Sequence, residues 1–327
     1  MKVCIYGAGA IGGFIGARLA AAGECAVSAV ARGATLQALR DHGWRLRQGG
    51  SLLQAPLALA SDDPRELGAM DLVVVAVKGP ALAEVAVRIG PLLGAQTMVL
   101  PAMNGVPWWF AQSTPVLGGE PLRSVDPDGR IGAMIPLAQV VGCVVHASTF
   151  TPEPGLVEQR MGQGLIIGEP AGGESPRVQR LAGLLRQAGF DTTLSPNVRQ
   201  DIWYKLWGNM TMNPVSAITG ATGDLVLDDP LVRGFCSAAM LEASAIGARI
   251  GCVIDQDPEA RHAVTRELGA FKTSMLVDVE RGRPIELDAI VTVVHELGRR
   301  TGVPTPNLDT LLGLTRLFAR TRGLLVS

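Results

Sequence analysis

A glycine-rich turn joins an apolar run to a helical run in residues 3–23, which read VCIYGAGAIGGFIGARLAAAG. In the pattern G-x-G-x-x-G, Gly7 permits a tight turn, Gly9 lets the backbone approach a pyrophosphate, and Gly12 allows close helix–strand packing. The following helix offers free N–H groups and the positive end of its dipole to phosphates. A purely structural turn is the alternative. We predict that the dinucleotide is bound by Gly7, Ala8, Gly9, Ala10, Ile11 and Gly12.

Arg32 stands at the end of the second predicted strand, in the run AVSAVARG. An NAD site usually has Asp or Glu at this position, where the carboxylate binds the ribose 2′-hydroxyl. Here Glu24 comes too early and Asp41 too late, with no acid between them. A guanidinium can form paired hydrogen bonds with a 2′-phosphate. We therefore predict NADPH/NADP as the cofactor, with a solvated loop cation as the alternative.

Short apolar runs alternate with helical or loop segments in the first part of the chain, which predicts a doubly wound α/β domain with a parallel sheet. Two further runs, 149–159 and 164–168, are expected to extend that sheet as an antiparallel edge. After 194–198 helical periodicity dominates, with five or six helices. We predict an NADP-binding Rossmann-like domain at 1–196 and an all-α substrate and catalytic domain at 197–327. The predicted strands are 3–6, 26–31, 72–77, 98–101 and 140–146.

Composition restricts the class of protein. With 327 residues, two domains are expected, and 29 basic residues against 30 acidic ones give no reason to expect a nucleic acid or anionic membrane partner. The five cysteines form no C-x-x-C pair and the four histidines are far apart, so no metal site is predicted. No apolar stretch of 18 residues lacks a charge or a breaker, and no basic export signal precedes the first strand. We expect a cytoplasmic enzyme.

Residues 112–136 are rich in Gly, Pro, Ser and Asp and are predicted to form a long irregular excursion. Loops of this length are uncommon in compact domains and are often lids or flaps. Whether this one closes over a cleft is left open by the sequence.

Lys205, Asn209 and Asn213 are spaced i, i+4 and i+8, so they share one face of a predicted helix. Their neighbours Ile202, Trp203, Leu206 and Met210 are apolar. A lysine beside buried surface has a lowered pKa and can act as a general acid near neutral pH. The two amides can orient a polar substrate. A solvated polar stripe is the alternative.

Other polar residues carry weaker signals. Lys78 and Asn104 follow predicted strands, at the end of the sheet where ligands bind in such folds. Each also has an ordinary interpretation, as a strand terminator and as part of an Asn-Gly turn. From spacing alone, Ser274 and Glu286 are interpreted as residues of helix surfaces, together with nearby charged residues.

Together these motifs resemble the ketopantoate reductase (2-dehydropantoate 2-reductase) family over nearly the whole chain. The most specific parts are K-x-x-x-N-x-x-x-N-P at 205–214 and the spacing of Ser274 and Glu286. The remaining matches are the glycine turn, Arg32, Val77-Lys78, Asn104-Gly105, K-x-S-M-L-x-D at 272–278, GR-x-x-E-x-D at 282–288 and GVPTPN at 302–307.

The resemblance implies an active site in a cleft between the two domains, where the ketone of 2-dehydropantoate is reduced to pantoate with NADPH for pantothenate and coenzyme A synthesis. It implies Lys205 as the general acid, and Asn209, Asn213 and Ser274 as substrate ligands. Further implied roles are Asn104 near nicotinamide and substrate, Lys78 beside the cofactor, and Glu286 on the cofactor ribose as a positioning and catalytic group.

Several departures from the family pattern leave the substrate open. The run VKGPAL lacks a Gln that often follows the lysine, Thr222 stands where some members have Asn, and DAIVTVV lacks a following Asn-Gly. Trp108 and Trp109 are either core residues or a modified pocket wall. Another branched, aromatic or hydroxylated 2-oxo acid is therefore an alternative substrate, and a non-catalytic NADP(H)-sensing protein is an alternative function. Monomer and homodimer both stay open.

Overall fold

The computed structural model describes residues 1–325 and divides the chain into two compact units. The first comprises 1–109 and 128–201, and the second comprises 110–127 and the chain from 202 onward. Sequence analysis divided the chain once, near residue 196.

The first unit contains ten strands and five α-helices among its described residues, most of them short. In chain order they are β1 Lys2–Tyr6, α1 Ala10–Ala21, β2 Ala26–Val30, α2 Gly33–His42, β3 Trp44–Gln48, β4 Ser51–Ala55, β5 Ala60–Ser61, β6 Met70–Val75, α3 Leu82–Arg88, β7 Leu93–Pro101, α4 Arg130–Met134, β8 Gly142–Glu153, β9 Leu156–Gly168, α5 Pro176–Gln187 and β10 Asp191–Leu194.

The nucleotide-type sheet has the strand order β5-β2-β1-β6-β7, and every pair in it is parallel. Its strands are buried almost throughout because helices cover parallel sheets on both faces. Helix α1 packs against this sheet with Phe14, Ile15 and Leu19 fully buried. The predicted Rossmann-type sheet followed by an all-α region is confirmed.

A second sheet, which the sequence did not predict as separate, has the order β10-β9-β3-β4, with β8 also pairing with β9. The predicted edge at 149–159 and 164–168 is wrong in this respect, as is the placement of 140–146 in the parallel sheet. Residues 142–168 instead form a long antiparallel hairpin, and its strand β9 also pairs in parallel with β3 and β10. A single bridge between Val99 and Val140 is the link to β7.

The second unit is helical. Its α-helices are α6 Val198–Thr219, whose first residues belong to the first unit, α7 Gly223–Asp228, α8 Pro230–Arg249, α9 Pro258–Arg266, α10 Ser274–Glu280, α11 Val293–Thr301 and α12 Pro306–Thr321, with a π-helical turn at Asp288–Thr292. As far as residue 325 there are seven α-helices in place of the five or six expected, because α7 and α10 are too short to give a clear period.

Helix α8 is long and apolar enough, by length and composition, to cross a membrane. It contributes to the core of the helical unit through Cys236, Ala239, Met240 and Ile246, and it packs against α7, α9, α11 and α12. It is a core helix.

The predicted excursion at 112–136 is divided between the two units: 112–127 belongs to the helical unit, and 128–136, which contains α4, belongs to the first unit. Glu296 of α11 accepts hydrogen bonds from the backbone N–H groups of Arg123 (3.0 Å) and Ser124 (2.8 Å), and from the Ser124 hydroxyl. Arg300 donates to the carbonyl oxygens of Glu120 (3.1 Å) and Pro121 (2.5 Å). These bonds fix residues 120–124 on α11.

Candidate active site

The glycine turn has the geometry that its sequence predicts. Gly7 has φ 95°, and a Cβ there would lie 2.7 Å from Val77 Cγ1. A Cβ on Gly12 would lie 2.0 Å from the Gly7 carbonyl oxygen, so α1 approaches the turn more closely than any side chain permits. Among the described residues, nothing lies within 4 Å of a Cβ built on Gly9, the N-cap of α1. The turn is therefore tightly packed at Gly7 and Gly12 and has open space beside Gly9.

Arg32 lies just beyond β2, at the N-cap of α2, and its guanidinium is paired with the Glu84 carboxylate of α3. Arg32 Nη1 donates to Glu84 Oε2 at 3.0 Å, and Nη2 donates to Oε1. Arg88 adds a second cation, 3.5 Å from Glu84 Oε1. The hydrogen bonds from Arg32 hold the pKa of Glu84 below its ordinary value. Sequence analysis missed Glu84 because it follows another strand, fifty-two positions from Arg32.

Lys78 and Asn104 follow neighbouring strands of the parallel sheet, three residues beyond the ends of β6 and β7. Both are half-buried. The carboxyl ends of parallel strands share one edge of the sheet, the edge at which the glycine turn follows β1. The structure thus brings both residues to the sheet edge predicted for ligand binding.

Lys205, Asn209 and Asn213 all lie on α6, at positions one turn apart. Lys205 and Asn209 are half-buried and Asn213 is buried. The apolar neighbours predicted to surround them are all buried, namely Ile202, Trp203, Leu206 and Met210. Lys205 and Asn209 are therefore partly accessible on a largely buried helix, and Asn213 lies below the surface.

A pair of buried hydroxyl groups joins α6 to the start of α10. The hydroxyls of Ser216 and Thr273 are 2.6 Å apart, and the Ser216 hydroxyl donates to the Asn213 carbonyl oxygen at 3.1 Å. Thr273 also caps α10, because its hydroxyl accepts from the Leu276 N–H at 3.1 Å. Ser274, the next residue, is exposed. These two hydroxyls bring Ser274 and Asn213 into one region. The sequence analysis did not identify Thr273, although a Ser or Thr directly before an apolar helical run is typical of a helix N-cap.

Glu286 lies between α10 and the π-helical turn, flanked by the buried side chains of Ile285 and Leu287. It is half-buried. The N–H of Ile285 donates to the Leu324 carbonyl oxygen at 3.0 Å, which fixes this segment to the end of α12. The backbone next to Glu286 is thus fixed on its N-terminal side.

Trp108 and Trp109 are 0% exposed. Gly142 of β8 makes room for the second of them, since a Cβ there would lie 3.2 Å from Trp109 Cη2. Both tryptophans are core residues, and the modified pocket wall considered from the sequence is not supported. Within the described residues, no group of three or more His, Cys, Asp or Glu side chains could hold a metal ion.

Two family descriptions match most of the chain. Residues 3–172 match ketopantoate reductase PanE/ApbA, and residues 197–319 match ketopantoate reductase PanE/ApbA C terminal. A 2-dehydropantoate 2-reductase of Mesorhizobium japonicum is 43% identical over 324 residues, which is 99% of this chain and 99% of that protein. The chain belongs to the ketopantoate reductase family. It is accordingly an oxidoreductase of the 2-dehydropantoate 2-reductase family.

Solved structures of this family have the same fold. A candidate ketopantoate reductase from Ralstonia solanacearum MolK2 is 56% identical, with a TM-score of 0.95 and 99% of both chains covered. D-mandelate dehydrogenase, solved with NADH and anilino(oxo)acetate, is 21% identical, with a TM-score of 0.84, covering 99% of this chain and 100% of that one. Identity of 21% shows a shared fold alone.

Proposed function

We propose that this ketopantoate reductase family member reduces the ketone of 2-dehydropantoate to the hydroxyl of pantoate, using NADPH. The support is the full-length similarity to the Mesorhizobium japonicum 2-dehydropantoate 2-reductase, together with an intact set of polar groups on α6. The observation that carries the proposal is the placement of Lys205, Asn209 and Asn213 on α6, with Ser274 tied to the same region through Ser216 and Thr273.

The glycine turn fits the pyrophosphate of a dinucleotide. Open space above Gly9 leaves room for the phosphates, and the packing of Gly12 against Gly7 keeps the N-terminus of α1 close to the end of β1. Backbone N–H groups of Ala10, Ile11 and Gly12 then bind phosphate oxygens, with the helix dipole adding to the attraction.

Arg32 supports NADPH over NADH, but a 2′-phosphate has to compete with the Glu84 carboxylate for the Arg32 guanidinium. A 2′-phosphate carries up to two negative charges and three strong acceptor oxygens, so it can replace the Glu84 carboxylate on the same guanidinium. Arg88 lies 3.5 Å from Glu84 and can take over that carboxylate. In this arrangement the exposed Arg32–Glu84 pair stabilises the free protein only slightly and is readily exchanged.

Lys205 supplies the proton in the reaction we propose. The hydride that adds to C2 of the 2-oxo acid comes from bound NADPH. As the carbonyl oxygen gains negative charge, the Lys205 ammonium stabilises it by a charge-assisted hydrogen bond and then transfers one proton to it. The neutral amine left behind regains a proton from solvent. Net consumption is one hydride and one proton for each hydroxyl formed.

The remaining polar groups hold the substrate and cofactor. Asn209, Asn213 and Ser274 donate or accept hydrogen bonds to the substrate carboxylate and hydroxyl groups. Asn104 and Lys78 act at the sheet edge near the nicotinamide. Glu286 accepts hydrogen bonds from a cofactor ribose and keeps the reacting groups aligned. Lys205 and Glu286 are thus the proposed catalytic residues.

We further propose that residues 1–196 bind NADPH and residues 197–327 bind the substrate. The enzyme is proposed to act in the cytoplasm, where reduced nicotinamide and the reduced state of its five free cysteines are both maintained.

A different 2-oxo acid is the second candidate substrate. The observation in its favour is the shared fold of D-mandelate dehydrogenase, together with the departures after Lys78 and after Glu286. A non-catalytic NADP(H)-sensing protein is disfavoured, because Lys205, Asn209 and Ser274 are all present.

The test is the loss of NADPH absorbance with 2-dehydropantoate and with a panel of branched, aromatic and hydroxylated 2-oxo acids. We expect kcat/KM for 2-dehydropantoate to exceed that for each other acid by about tenfold or more. A higher value for another acid would transfer the proposal to that substrate. Absence of turnover on the whole panel, with NADPH still binding, would instead support the sensing protein.

A further inference from the structure

Arg261 of α9 is a half-buried cation with no anionic partner among the described residues. Its guanidinium forms no ion pair and donates no hydrogen bond to any residue in that part of the chain, and its Nε atom is buried without a partner. Nearly all buried N–H groups of proteins have an acceptor, because an unsatisfied donor costs free energy. A bound anion would supply the acceptor that Arg261 lacks.

The residue next to Arg261 fixes the orientation of α9. His262 is 2% exposed, and its Nε2 atom lies 3.0 Å from the Ser237 hydroxyl of α8. Consecutive residues of an α-helix point in directions about 100° apart. With His262 held against α8, the side chain of Arg261 is directed at α6 instead.

On α6 the Arg261 guanidinium packs against Tyr204 and Gly208. Its Cζ atom lies 5.1 Å from the centroid of the Tyr204 ring. A Cβ built on Gly208 would lie 3.1 Å from Arg261 Nε and 3.3 Å from Nη2, so the glycine makes room for the guanidinium. The Tyr204 hydroxyl donates to Gln256 Oε1 at 2.7 Å, which ties the ring to the segment before α9. All four residues belong to the helical unit.

The two α6 residues that contact Arg261 directly precede Lys205 and Asn209 in the chain. Between residues 202 and 209, Tyr204, Lys205 and Asn209 are half-buried and the others are buried. These three residues form one accessible strip of α6, and Arg261 lies along its edge. Since consecutive Cα atoms are about 3.8 Å apart, one small molecule on this strip can contact both Arg261 and Lys205.

A 2-oxo acid carries a negative charge that the substrate ligands proposed above do not match. Asn209, Asn213 and Ser274 are neutral, and the Lys205 ammonium is assigned to the ketone oxygen. A carboxylate that leaves water needs both hydrogen bonds and a counter-charge. A guanidinium provides both, because its paired N–H groups match the two carboxylate oxygens.

We propose that Arg261 binds the carboxylate of the 2-oxo acid and thereby selects acids over uncharged ketones. The ketone carbon is bonded directly to the carboxylate carbon, so a carboxylate held by Arg261 leaves the ketone oxygen within reach of Lys205. Arg261 takes no part in hydride or proton transfer. This inference rests on the proposed function in that it requires a 2-oxo acid substrate, and it applies to any such acid.

Arg261→Met tests the proposal, because methionine retains packing on Tyr204 and removes the charge. For the 2-oxo acid that the parent enzyme reduces, we expect KM to rise by about 30-fold or more, the scale for lost hydrogen bonds to a charged group. The NADPH dissociation constant should not change. Arg261→Lys retains the charge and should recover part of the loss. Arg266→Met is the control with unchanged KM, since Arg266 is an exposed arginine of the same helix that pairs with Asp228.

Gly208→Ala tests the same contact with Arg261 left in place. The new Cβ would displace the guanidinium, whereas alanine is favoured over glycine inside a helix, so the protein should fold. We expect KM for the acid to rise several-fold. This variant decides the matter if Arg261→Met folds poorly.

Calorimetry on the protein saturated with NADP, which has no hydride to transfer, separates charge from packing. In Arg261→Met the dissociation constant of 2-dehydropantoate should rise by about 30-fold or more. That of its lactone, which has the ketone but no carboxylate, should stay the same. Unchanged KM in Arg261→Met or Gly208→Ala, or equal loss with Arg266→Met, would overturn the proposal. An equal rise for acid and lactone would overturn it in favour of a packing role.

Failure of the proposed function is a separate result. If the parent protein reduces no 2-oxo acid of the panel, the proposed reaction is wrong, and calorimetry with the same acids decides on Arg261. An acid that binds the parent protein and binds Arg261→Met much more weakly supports the carboxylate site. Equal binding to the two proteins, or no binding to the parent, would overturn it.

Discussion

At the residue scale, the Arg32 guanidinium forms an ion pair with the Glu84 carboxylate. The residues around Arg32 in the sequence do not predict this partner. The run of residues around Arg32 predicts a cation at the ribose position, and the structure supplies the anion from α3. In our proposal the 2′-phosphate of NADPH and Glu84 compete for the same donors, so that Glu84 would affect cofactor affinity.

Glu84→Gln should strengthen NADPH binding by about two- to fivefold, the range expected when an exposed ion pair no longer competes. NADH, which has no 2′-phosphate, should bind less tightly or unchanged. The matched variant Arg32→Ala should weaken NADPH much more than NADH. Fluorescence titration gives the dissociation constants of NADPH and NADH for each variant. Equal changes for the two cofactors would remove the basis for the NADPH proposal.

Alanine substitutions at Gly12 and Gly9 are expected to affect different properties, stability in the first case and cofactor binding in the second. A Cβ on Gly12 would lie 2.0 Å from a backbone oxygen, so Gly12→Ala should lower the free energy of unfolding by about 2 kcal/mol or more. A Cβ on Gly9 meets open space among the described residues, so Gly9→Ala should leave stability unchanged and weaken NADPH binding. Thermal unfolding and NADPH titration distinguish these outcomes. A stable Gly12→Ala protein with full cofactor affinity would refute the assigned packing role.

At the scale of elements, α6 and α10 are linked by side chains that the family motifs do not include. The Ser216–Thr273 hydrogen bond is 2.6 Å long and fully buried, and it joins the turn of α6 that holds Asn213 to the cap of α10 that precedes Ser274. Thr273 is thus a positioning residue in our account.

Thr273→Val should raise KM for the 2-oxo acid several-fold while leaving the NADPH dissociation constant unchanged, since the hydroxyl orients Ser274 and Asn213. Loss of the helix cap should also lower stability by about 1 kcal/mol. Thr273→Ser retains the hydroxyl and should restore KM. If the serine variant shows the same KM as the valine variant, the hydroxyl does not position the substrate ligands.

Elements with strong local signals were predictable, and elements defined by distant pairing were not. The strand–turn–helix at 3–23 and the long α6 follow from periodicity and glycine spacing. The hairpin of β3 and β4 was overlooked although Gly49-Gly50, both with positive φ, marks its turn. The hairpin of β8 and β9 was assigned to the wrong sheet, because the choice of partner for β9 depends on β3, a hundred residues earlier in the chain.

At the scale of the whole molecule, the site was likewise predictable only where its residues lie on one element. The residue types on α6 and in the glycine turn could be identified from the sequence, since each set lies on one element. The Glu84 partner of Arg32 and the Ser216–Thr273 link could not, because they join residues 52 and 57 positions apart.

The central claim is that Lys205 donates the proton in an NADPH-dependent reduction. Lys205→Ala should lower kcat with 2-dehydropantoate by about 100-fold or more, the usual scale for loss of a general acid. The NADPH dissociation constant should remain close to that of the parent enzyme. Lys272→Ala is the control, because Lys272 is an exposed lysine of the same unit that pairs with Glu280; its kcat should be unchanged.

The decisive measurement is therefore kcat and NADPH affinity determined side by side for the parent enzyme, Lys205→Ala and Lys272→Ala. A loss of kcat confined to Lys205→Ala, with cofactor affinity intact in all three, is the predicted result. Undiminished turnover in Lys205→Ala would contradict the account.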